Sequence, residues 1–531
     1  MKTREALETD YIGCMNPESQ TASFLFNRNY WSVEHRKKAV LSAASRGVKP
    51  EILKELEWIN AGVTPELDRS LELLRKGNSA LVITGQQIGI LGGPLMTFYK
   101  VLSAIKLARK LEQESGVAVR VLFWMQTEDH DLEEIFSWHI YGKGGEIATL
   151  QREISGKEQG RSAGEILNGE EFVKRLERFL AEHRLDNFLP LIEYYLTPEV
   201  TLADSYRRVL QGTFGNYGVL VFDPLSANVK AAYRDFIASS FLRSGAINRL
   251  LVKRTEELKE QGYAAQVVVR EDSPLFFVAA SDGRRERLRE LPDGSLKGEF
   301  SEYSKEELFK ILDKQPGRFT TSALIRPVFQ DAIFPTAAYV AGPAELRYHA
   351  QLKSLYPFFH LEQPLVVPRN SLLLLEKRAR RLWQRLGVQL DTLSGSEQEF
   401  INSYSGSAKN TGLEDIKNIE NELDVQLDKL KDQLSNVDPV LIKDLEKTRR
   451  SLHVNLSKFR SRYERAVLYR EGDLVSKFNE LKNYAFPLSK PQERVIGFGY
   501  FLNRFGPEFI SRLLEQVPEI SDGESKVIEL E

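Results

Sequence analysis

Apolar residues in the first 370 positions follow two spacings, one typical of buried strands and one typical of helices. Short continuous apolar runs predict strands at 81–83, 117–126, 217–224 and 364–371. After the first of these runs, apolar residues recur every three or four positions, which predicts a helix that Gly116 would end. Residues 1–80 also have a mostly helical pattern. A strand, a loop, a helix and a strand in succession predict a parallel sheet and an α/β core.

Two stretches between the predicted strands have a different composition and are suited to insertions into the core. Residues 140–200 are charged and mixed in character. A second stretch covers about 255–320, where "AAQVVV" (264–269) and "PLFFVAA" (274–280) are candidates for antiparallel strands. Strand, loop and helix character then returns over 320–352, so the core is expected to continue after the second insertion.

From about residue 373 the pattern changes to long, charge-rich helices. Two helical runs are joined at "SNVDP" (435–439), where Pro439 marks a break. They predict either an antiparallel hairpin or half of an intermolecular coiled coil. The apolar seam of the first run consists of Leu413, Ile416, Ile419, Leu423, Leu427, Leu430 and Leu434, and that of the second includes Leu445, Leu452, Leu456, Phe459, Tyr463 and Ala466.

Composition narrows the class of protein. A chain of 531 residues is longer than one hydrophobic core usually supports, so several domains are expected. The formal net charge of −2 argues against a general surface for nucleic acid, and the single cysteine, Cys14, excludes an intramolecular disulfide. The first residues do not resemble a signal peptide, and no apolar run approaches the length of a membrane span. We therefore expect a cytoplasmic protein that does not enter the membrane.

A glycine-rich loop follows the first predicted strand and precedes a helix. Glycines in that position let backbone N–H groups and a helix N-terminus approach an anion such as phosphate. The loop matches neither the dinucleotide fingerprint nor the Walker loop. The alternative is a tight turn between strand and helix, which would not explain the paired glutamines. The candidate binding residues are Thr84, Gly85, Gln86, Gln87, Gly89, Gly92, Gly93 and Pro94.

An acidic cluster follows the second predicted strand, in "VLFWMQTEDHDLEEI" (121–135). Ligands of parallel α/β sheets collect at the carboxyl ends of the strands, so this cluster should face the same crevice as the glutamines. Its side chains could orient an amine, bind a metal, or act as general acid and base. The alternative is capping of a helix by Thr127 or Asp129, and zinc is disfavoured because the histidine has only carboxylate neighbours. The candidate catalytic residues are Glu128, Asp129, His130 and Asp131.

A third group of polar residues lies within "RPVFQDAIFPTAAYVAGPAELRYH" (326–349). Several of them stand among apolar neighbours, and others form a second loop between a strand and a helix. A capped turn would explain the Gly-Pro-x-Glu arrangement equally well. The candidate binding residues here are Arg326, Gln330, Asp331, Tyr339, Gly342, Pro343 and Glu345.

These segments, in this order, resemble the bacillithiol-synthesis cysteine-adding family (BshC). The resemblance rests on "TGQQIGILGGPLMTFYK", "VLFWMQTEDHDLEEI", "FGNYGVLVFD", "GYAAQV", "LIRPVFQDAIFPTAAYVAGPAELRYHAQL", "VVPRNS" and "QERVIGFGYFLNRFG", which together span nearly the whole chain. The combination is specific, although no single motif would be. The family usually has glycine where this chain has Thr127, and the acidic residues that follow it are unchanged.

The resemblance implies a Rossmann core like that of class I aminoacyl-tRNA synthetases, with connecting-peptide insertions and a C-terminal α-helical coiled coil that forms a homodimer. The implied segments are N-terminal helices with the first half of the core (1–139), the first insertion (140–200), core (201–254), the second insertion (255–320), the second half of the core (321–385), the coiled coil (386–485) and a C-terminal helical segment on the core (486–531).

The resemblance also implies a ligase that joins L-cysteine to glucosaminyl-malate in the last step of bacillithiol synthesis. The implied nucleotide partner is ATP or ADP. ATP, with or without magnesium, would activate the carboxylate, and no other metal is expected. Two alternatives remain open. One is a nucleotide-binding ligase or nucleotidyltransferase with the same core and another substrate, and the other is a coiled-coil scaffold without catalysis.

Overall fold

The structure is a computed structural model that describes residues 6–16, 18–397, 399–400, 411–434, 438, 440–470 and 474–531. The chain forms two compact units. The core unit comprises 1–142, 147–372 and 493–526, and the coiled-coil unit comprises 143–146, 373–492 and 527–531. The finer division into seven segments that the resemblance implies stays a prediction.

A five-stranded parallel sheet forms the centre of the core unit. Its strands are β1 (Ser79–Gln86), β2 (Ala118–Met125), β3 (Val219–Phe222), β4 (Thr336–Ala341) and β5 (Leu365–Pro368). Their spatial order is β5-β4-β1-β2-β3, with every neighbouring pair parallel. The predicted parallel sheet is therefore confirmed. From β1 the chain adds β2 and β3 on one side of the sheet, and then adds β4 and β5 on the other side of β1. A change of side of this kind opens a crevice at the carboxyl ends of the two central strands, here β1 and β4.

Helices cover the sheet, and its strands are therefore buried along almost their full length. The helix Leu95–Ser115 packs against β1 and β2, and it ends at Gly116, which adopts the left-handed conformation as the sequence predicts. Among the described residues, no helix combines the length and apolarity needed to cross a bilayer. The other α-helices that lie wholly or mostly in this unit are Ala6–Ile12, Gln20–Leu25, Val33–Ala44, Pro50–Asn60, Pro65–Lys76, Leu132–Ile135, Glu170–His183, Leu189–Ile192, Leu202–Phe214, Ala227–Ala232, Arg234–Leu242, Ser244–Glu260, Lys305–Lys314, Arg326–Ile333, Pro343–Gln351, Leu355–Phe358, Gln492–Val495, Phe498–Phe505 and Glu508–Gln516.

The second insertion contains short antiparallel strands. Phe276–Ala279 pairs with Phe319–Thr321 on one side and Arg285–Arg287 on the other, as the sequence predicts for "PLFFVAA". The strand predicted for "AAQVVV" is wrong. At the centre of this segment the backbone of Val267 is hydrogen-bonded by a side chain and not by a neighbouring strand, since the Gln351 carboxamide accepts from Val267 N (3.1 Å) and donates to Val267 O (3.0 Å). The remaining short strands of the core unit are Ser137–Tyr141, Ile147–Gln151, Arg289–Glu290, Leu296–Lys297 and Glu302–Tyr303.

The coiled-coil unit is built on two long helices, Thr411–Leu434 and Val440–Arg470. They run antiparallel within one chain, as ion pairs between Lys431 and Glu446 (2.9 Å) and between His453 and Asp424 (2.9 Å) indicate. The helical hairpin of the sequence prediction is thus present, while most of its predicted turn (435–437 and Pro439) lies outside the described residues. The unit also contains the helices Lys377–Leu386, Leu390–Ser394 and Leu474–Ala485. A two-stranded sheet pairs Ser371–Leu375 with Ser525–Glu529, and residues 373–375 and 527–529 of these strands belong to this unit.

The apolar seam of the first long helix is only partly covered by the second. Ile416 and Leu427 are buried, whereas Ile419 is 53% and Leu430 is 42% exposed. On the second helix Phe459 is 55% exposed. The hairpin therefore leaves large apolar side chains in contact with solvent.

Candidate active site

A cavity of about 210 Å³ lies where β2 ends and the second insertion folds over the sheet. The residues after β2 form one wall, and the insertion with the segment before the helix Arg326–Ile333 forms the other. Its charged and polar lining residues are Gln126, Glu128, Asp129, His130, Arg270, Ser273, Arg285, Arg287, Thr321, Ser322 and Arg326. Three of the four predicted catalytic residues and one predicted binding residue, Arg326, thus meet at one cavity.

Glu128 is fully engaged by protein groups. One carboxylate oxygen pairs with Lys230, which is completely buried. The other accepts hydrogen bonds from the backbone N–H of Thr321 (2.9 Å) and from its hydroxyl. Both oxygens are therefore occupied, and Glu128 ties the end of β2 to the second insertion. These contacts suit a residue that positions its neighbours better than they suit a proton acceptor, which was the role that the sequence allowed for Glu128.

Asp129 shapes the turn that carries the cluster. Its Oδ1 accepts from the backbone N–H of His130 (2.7 Å), and its Oδ2 accepts from the Gln87 side-chain amide (2.9 Å). Burial raises the pKa of this carboxyl, but the charge of Arg326 and the hydrogen bond from Gln87 outweigh burial, so the pKa lies below its ordinary value. Asp129 is thus a fixed negative charge at the cavity, joined to the loop after β1.

His130 has a defined tautomer because of Arg285. The Arg285 Nη1 lies 2.8 Å from His130 Nδ1, and a guanidinium can only donate, so Nδ1 is the acceptor and the proton is on Nε2. Burial and the charge of Arg285 lower the pKa of the His130 ring, against the opposing charges of Asp129 and Asp131. A neutral imidazole that presents Nε2–H can donate a hydrogen bond to a substrate oxygen. Asp131 itself is exposed, at the N-terminus of the helix Leu132–Ile135.

Arg285→Met should raise the pKa of His130, because a cation is removed while Asp129 and Asp131 remain. The midpoint is measured by NMR titration of histidine-labelled protein, which carries seven histidines. Arg284→Met is the matched control, since Arg284 pairs with Asp282 (2.6 Å) away from His130. An unchanged His130 midpoint in Arg285→Met would contradict the assigned contact.

The second insertion supplies arginines that the sequence analysis missed. Arg285 also donates to the Thr320 hydroxyl (2.8 Å) and the Thr321 carbonyl (3.1 Å), and Arg287 and Arg270 line the same cavity. The signal was available in "GRRERLRE" (283–290), where arginines alternate along a strand so that 285 and 287 share one face. With Glu128 neutralised by Lys230, the cavity has an excess of positive charge suited to a carboxylate or phosphate.

A second group of predicted residues forms a buried ionic cluster between the ends of β1 and β4. Lys100 donates to Gly85 O (2.7 Å) and Gln86 Oε1 (2.9 Å) and pairs with Glu345 (2.5 Å). Glu345 also accepts from the Tyr339 hydroxyl (2.8 Å). Burial raises the pKa of Glu345, and the Lys100 charge reverses the shift, so the pKa lies below its ordinary value. This cluster crosses the switch point of the sheet and fixes Gln86.

Glu345 also closes the turn after β4. Its Oε2 accepts from Gly342 N (2.7 Å), and Pro343 begins the helix, so the capped turn considered for Gly342 and Pro343 is present. Thr84 is likewise tied inside the sheet, with its hydroxyl donating to Val340 O (3.0 Å).

The glycines of the loop after β1 are held against protein groups. A Cβ at Gly92 would lie 2.4 Å from a ring carbon of Phe498, and one at Gly89 would lie 2.9 Å from the Gly93 Cα. Pro94 forms a β-bridge with Gly497. The structure therefore places Gly89–Pro94 in a packed turn, away from the arginine-lined cavity, and brings only Gln87 to the acidic cluster.

Gly92→Val should destabilise the core unit, because the added side chain meets the Phe498 ring and because Gly92 has a φ of +87°. We expect a loss of at least about 2 kcal/mol, the usual scale for overpacking combined with a strained backbone. The shift of the unfolding midpoint in urea measures it. Gly47→Val is the control, since nothing lies within 4 Å of a Cβ there and its φ is not positive. Equal midpoints for the two variants would contradict the packing.

Gln330 and Asp331 are not among the residues that line the cavity, because they lie on the buried side of the helix Arg326–Ile333. Asp331 accepts from the Tyr356 hydroxyl (2.7 Å), and burial raises its pKa to about 6. Gln330 donates to Asp331 (3.4 Å) and is 2% exposed. Their polar character is used for internal hydrogen bonds, which the sequence could not distinguish from ligand binding.

The described residues contain no group of three or more His, Cys, Asp or Glu side chains arranged to hold a metal ion.

Two family models match the chain. One is described as the N-terminal Rossmann-like domain of bacillithiol biosynthesis BshC and matches residues 1–370, and the other is described as its C-terminal coiled-coil domain and matches 372–530.

Similar proteins include three named "Putative cysteine ligase BshC". The one from Koribacter versatilis is 27% identical, over 88% of this chain and 88% of the relative. The one from Desulforamulus reducens is 29% identical, over 86% and 85%, and the one from Chloroherpeton thalassium is 28% identical, over 92% and 91%. Since the N-terminal model alone covers more than half of the residues, the chain belongs to the bacillithiol biosynthesis BshC family.

Proposed function

We propose that the protein is a cysteine ligase that joins L-cysteine to the amine of glucosaminyl-malate and so makes bacillithiol in the cytoplasm. The observation that carries this proposal is the cavity at the end of β2, where arginines face a fixed aspartate. Arginine forks suit carboxylates, and aspartate suits a protonated amine. The similar proteins are named as cysteine ligases, which supports the cysteine part of the proposal. The expected similarity of the core to class I aminoacyl-tRNA synthetases stays a prediction.

The cavity is suited to the malyl part of the acceptor. Four arginines line it, namely Arg270, Arg285, Arg287 and Arg326, and a malyl group presents two carboxylates. Asp129 would attract the ammonium group of the sugar, and His130 would donate its Nε2–H to a substrate oxygen. With Glu128 and Asp129 both occupied by protein groups, the proton released when the amide forms is expected to leave to solvent.

Amide formation from a free carboxylate and an amine is uphill in water, so the carboxylate of cysteine has to be activated. We propose ATP as the activating substrate, because no nucleophile elbow offers an alternative. The G-x-S-x-G match at 160–164 places Ser162 in a buried position before the short 3₁₀ turn Ala163–Glu165, and not on an exposed turn between a strand and an α-helix. The arginine donors fit a phosphate as well as a carboxylate. A volume of about 210 Å³ is below the 300–1,000 Å³ typical of drug-sized ligands, so we assign this cavity to one substrate and not to the nucleotide.

Incubation of the purified protein with L-cysteine, glucosaminyl-malate and ATP tests the proposal, with products separated by mass. We expect the cysteinyl amide together with nucleotide turnover. Glu133→Gln, an exposed acid on the short helix after the cluster, is the control variant that should keep full activity. Product without nucleotide turnover would retain the ligase and refute ATP. No product, even with a cell extract added, would favour another substrate for the same core.

We also propose a homodimer formed through the coiled-coil unit. Double substitution of the exposed seam residues, Ile419→Glu with Leu430→Glu, should give a monomer by light scattering, because no described part of the chain covers these side chains. Val454→Glu with Phe459→Glu tests the second helix in the same way. Leu427→Glu is the contrasting variant, since Leu427 is buried inside the hairpin and its loss should lower stability. An unchanged mass in both exposed double variants would refute the dimer.

A further inference from the structure

A second cavity, of about 1240 Å³, opens at the carboxyl ends of β2 and β3. Gly164, which lines it, donates its backbone N–H to the Thr127 carbonyl (2.9 Å), and the adjacent Ala163 donates to Asp129 O (2.7 Å). The turn that carries Asp129 therefore lies between this cavity and the arginine-lined one. None of the candidate residues from the sequence analysis is among its lining residues.

Two carboxylates in this cavity have one oxygen held by the protein and one without a partner among the described residues. Glu55, only 9% exposed, uses Oε1 to accept from Ser226 (2.8 Å) and Asn228 (2.6 Å). Asp223 uses Oδ1 to accept from the Thr127 hydroxyl and from Leu225 N (3.0 Å). The protein thus fixes the orientation of both groups and leaves Oε2 and Oδ2 to accept from something in the cavity.

Trp58 provides an aromatic surface at the same cavity. The helix Pro50–Asn60 buries Ile52 and Leu56 and leaves Trp58 75% exposed. The Arg207 guanidinium lies 5.6 Å from its ring centroid and is held by Asp204 (2.6 Å). It is unfavourable to leave such a large apolar ring in water. The ring suits a ligand whose hydrocarbon part packs on it and whose cationic group lies over its face.

The lining has more negative than positive charge. Its acids are Glu51, Glu55, Glu165, Asp204 and Asp223, and its cations are Lys49, Lys54 and Arg207. Some of these charges are already engaged, since Arg207 pairs with Asp204, Glu165 pairs with Arg161 (3.6 Å) and Lys49 donates to Ala232 O (2.7 Å). The excess of negative charge remains, because Glu51, Glu55 and Asp223 stand against Lys49 and Lys54. Burial raises the pKa of the Asp223 carboxyl, so a bound cation would stabilise its ionised form.

From this geometry we propose that the second cavity binds a small organic ligand through its protonated amine, with Glu55 and Asp223 accepting the ammonium hydrogens and Trp58 covering the adjoining hydrocarbon. Polyanions such as nucleotides are disfavoured by the same charges. This site goes beyond the proposed ligase reaction, and its binding is measured without any turnover.

Titration of the full chain with glucosamine and with glucose, followed by tryptophan fluorescence, tests the proposal. The two probes differ by an ammonium group in place of a hydroxyl group. We expect saturable binding of glucosamine at least about 10-fold tighter than that of glucose, since hydrogen bonds to charged groups are worth about 1.5–3 kcal/mol. Equal affinities, or no saturable change with glucosamine, would overturn the proposal.

Variants locate the site. Trp58→Ala should abolish the fluorescence change, and Glu55→Gln and Asp223→Asn should each weaken glucosamine binding about 10-fold or more through loss of charge. Glu57→Gln is the matched control on the same helix, because Glu57 pairs with Arg75 (2.6 Å). Unchanged affinity in both carboxylate variants would refute this site.

An Arg326→Met variant should retain glucosamine binding at Trp58, which separates this site from the arginine-lined cavity. A failed ligase assay would not affect these results.

Discussion

Lys230→Met is expected to lower the free energy of unfolding by about 3–5 kcal/mol, the cost of leaving a buried charge without its partner. Lys230 is completely buried and pairs with Glu128, whose side chain is 5% exposed. The ammonium also lies 5.0 Å from the Phe329 ring centroid. Methionine keeps the length and apolar volume of the side chain, so the loss reports mainly the unpaired carboxylate. The shift of the urea unfolding transition measures it.

Two further variants separate charge from packing. In the double variant Lys230→Met with Glu128→Gln, most of the lost stability should return, because no buried charge remains. Lys76→Met removes the partner of Glu72 on the surface, where both side chains are more than half exposed, and should leave the transition unchanged. A double variant as unstable as Lys230→Met alone would show that the ion pair is not the cause.

Asp129→Asn is expected to lower kcat/KM of the proposed ligation about 100-fold or more, the usual cost of removing one fixed electrostatic group from an active site. Asparagine keeps an oxygen for the backbone N–H of His130, and rotation of the Gln87 amide would restore the contact between the two side chains. The fold should therefore persist while the charge at the cavity is lost. Initial rates at varied glucosaminyl-malate concentration measure the effect.

The control for Asp129→Asn is Glu133→Gln, which removes a charge nearby on an exposed side chain. Its rate should match that of the original protein. If Asp129→Asn retained the original kcat/KM with an unaltered melting temperature, Asp129 would not contact a charged substrate group. If it unfolded, the Gln87 contact would be shown to be structural.

The parallel sheet was predictable because its strands are continuous apolar runs that end in glycine or polar turns. The helix after β1 was predictable for a related reason, since its apolar spacing is regular and Gly116 ends it. The segment 264–269 was not, although its valines favour a strand. A strand requires a partner along its edge, and here the backbone of Val267 is hydrogen-bonded by the side chain of Gln351, far away in sequence.

The acidic cluster was recognisable because a turn after a buried strand does not by itself require three acids and a histidine in succession, although two of these acids also hold the turn in place. The arginines opposite were missed because they belong to another element, and sequence spacing does not reveal which elements face each other. The glycine-rich loop shows the converse. Gly92 suggested close approach to a ligand, whereas the group that approaches is Phe498, from a much later part of the chain.

Both insertions leave the sheet at the carboxyl end of a strand, after β2 and after β3, and return at the amino end of the next. Material can therefore be added to or removed from either segment without changing the register of any strand pair. In evolutionary terms, the sheet is a constant platform and the insertions are the replaceable part. Because Arg285 comes from an insertion, we expect substrate preference to diverge among relatives faster than the fold.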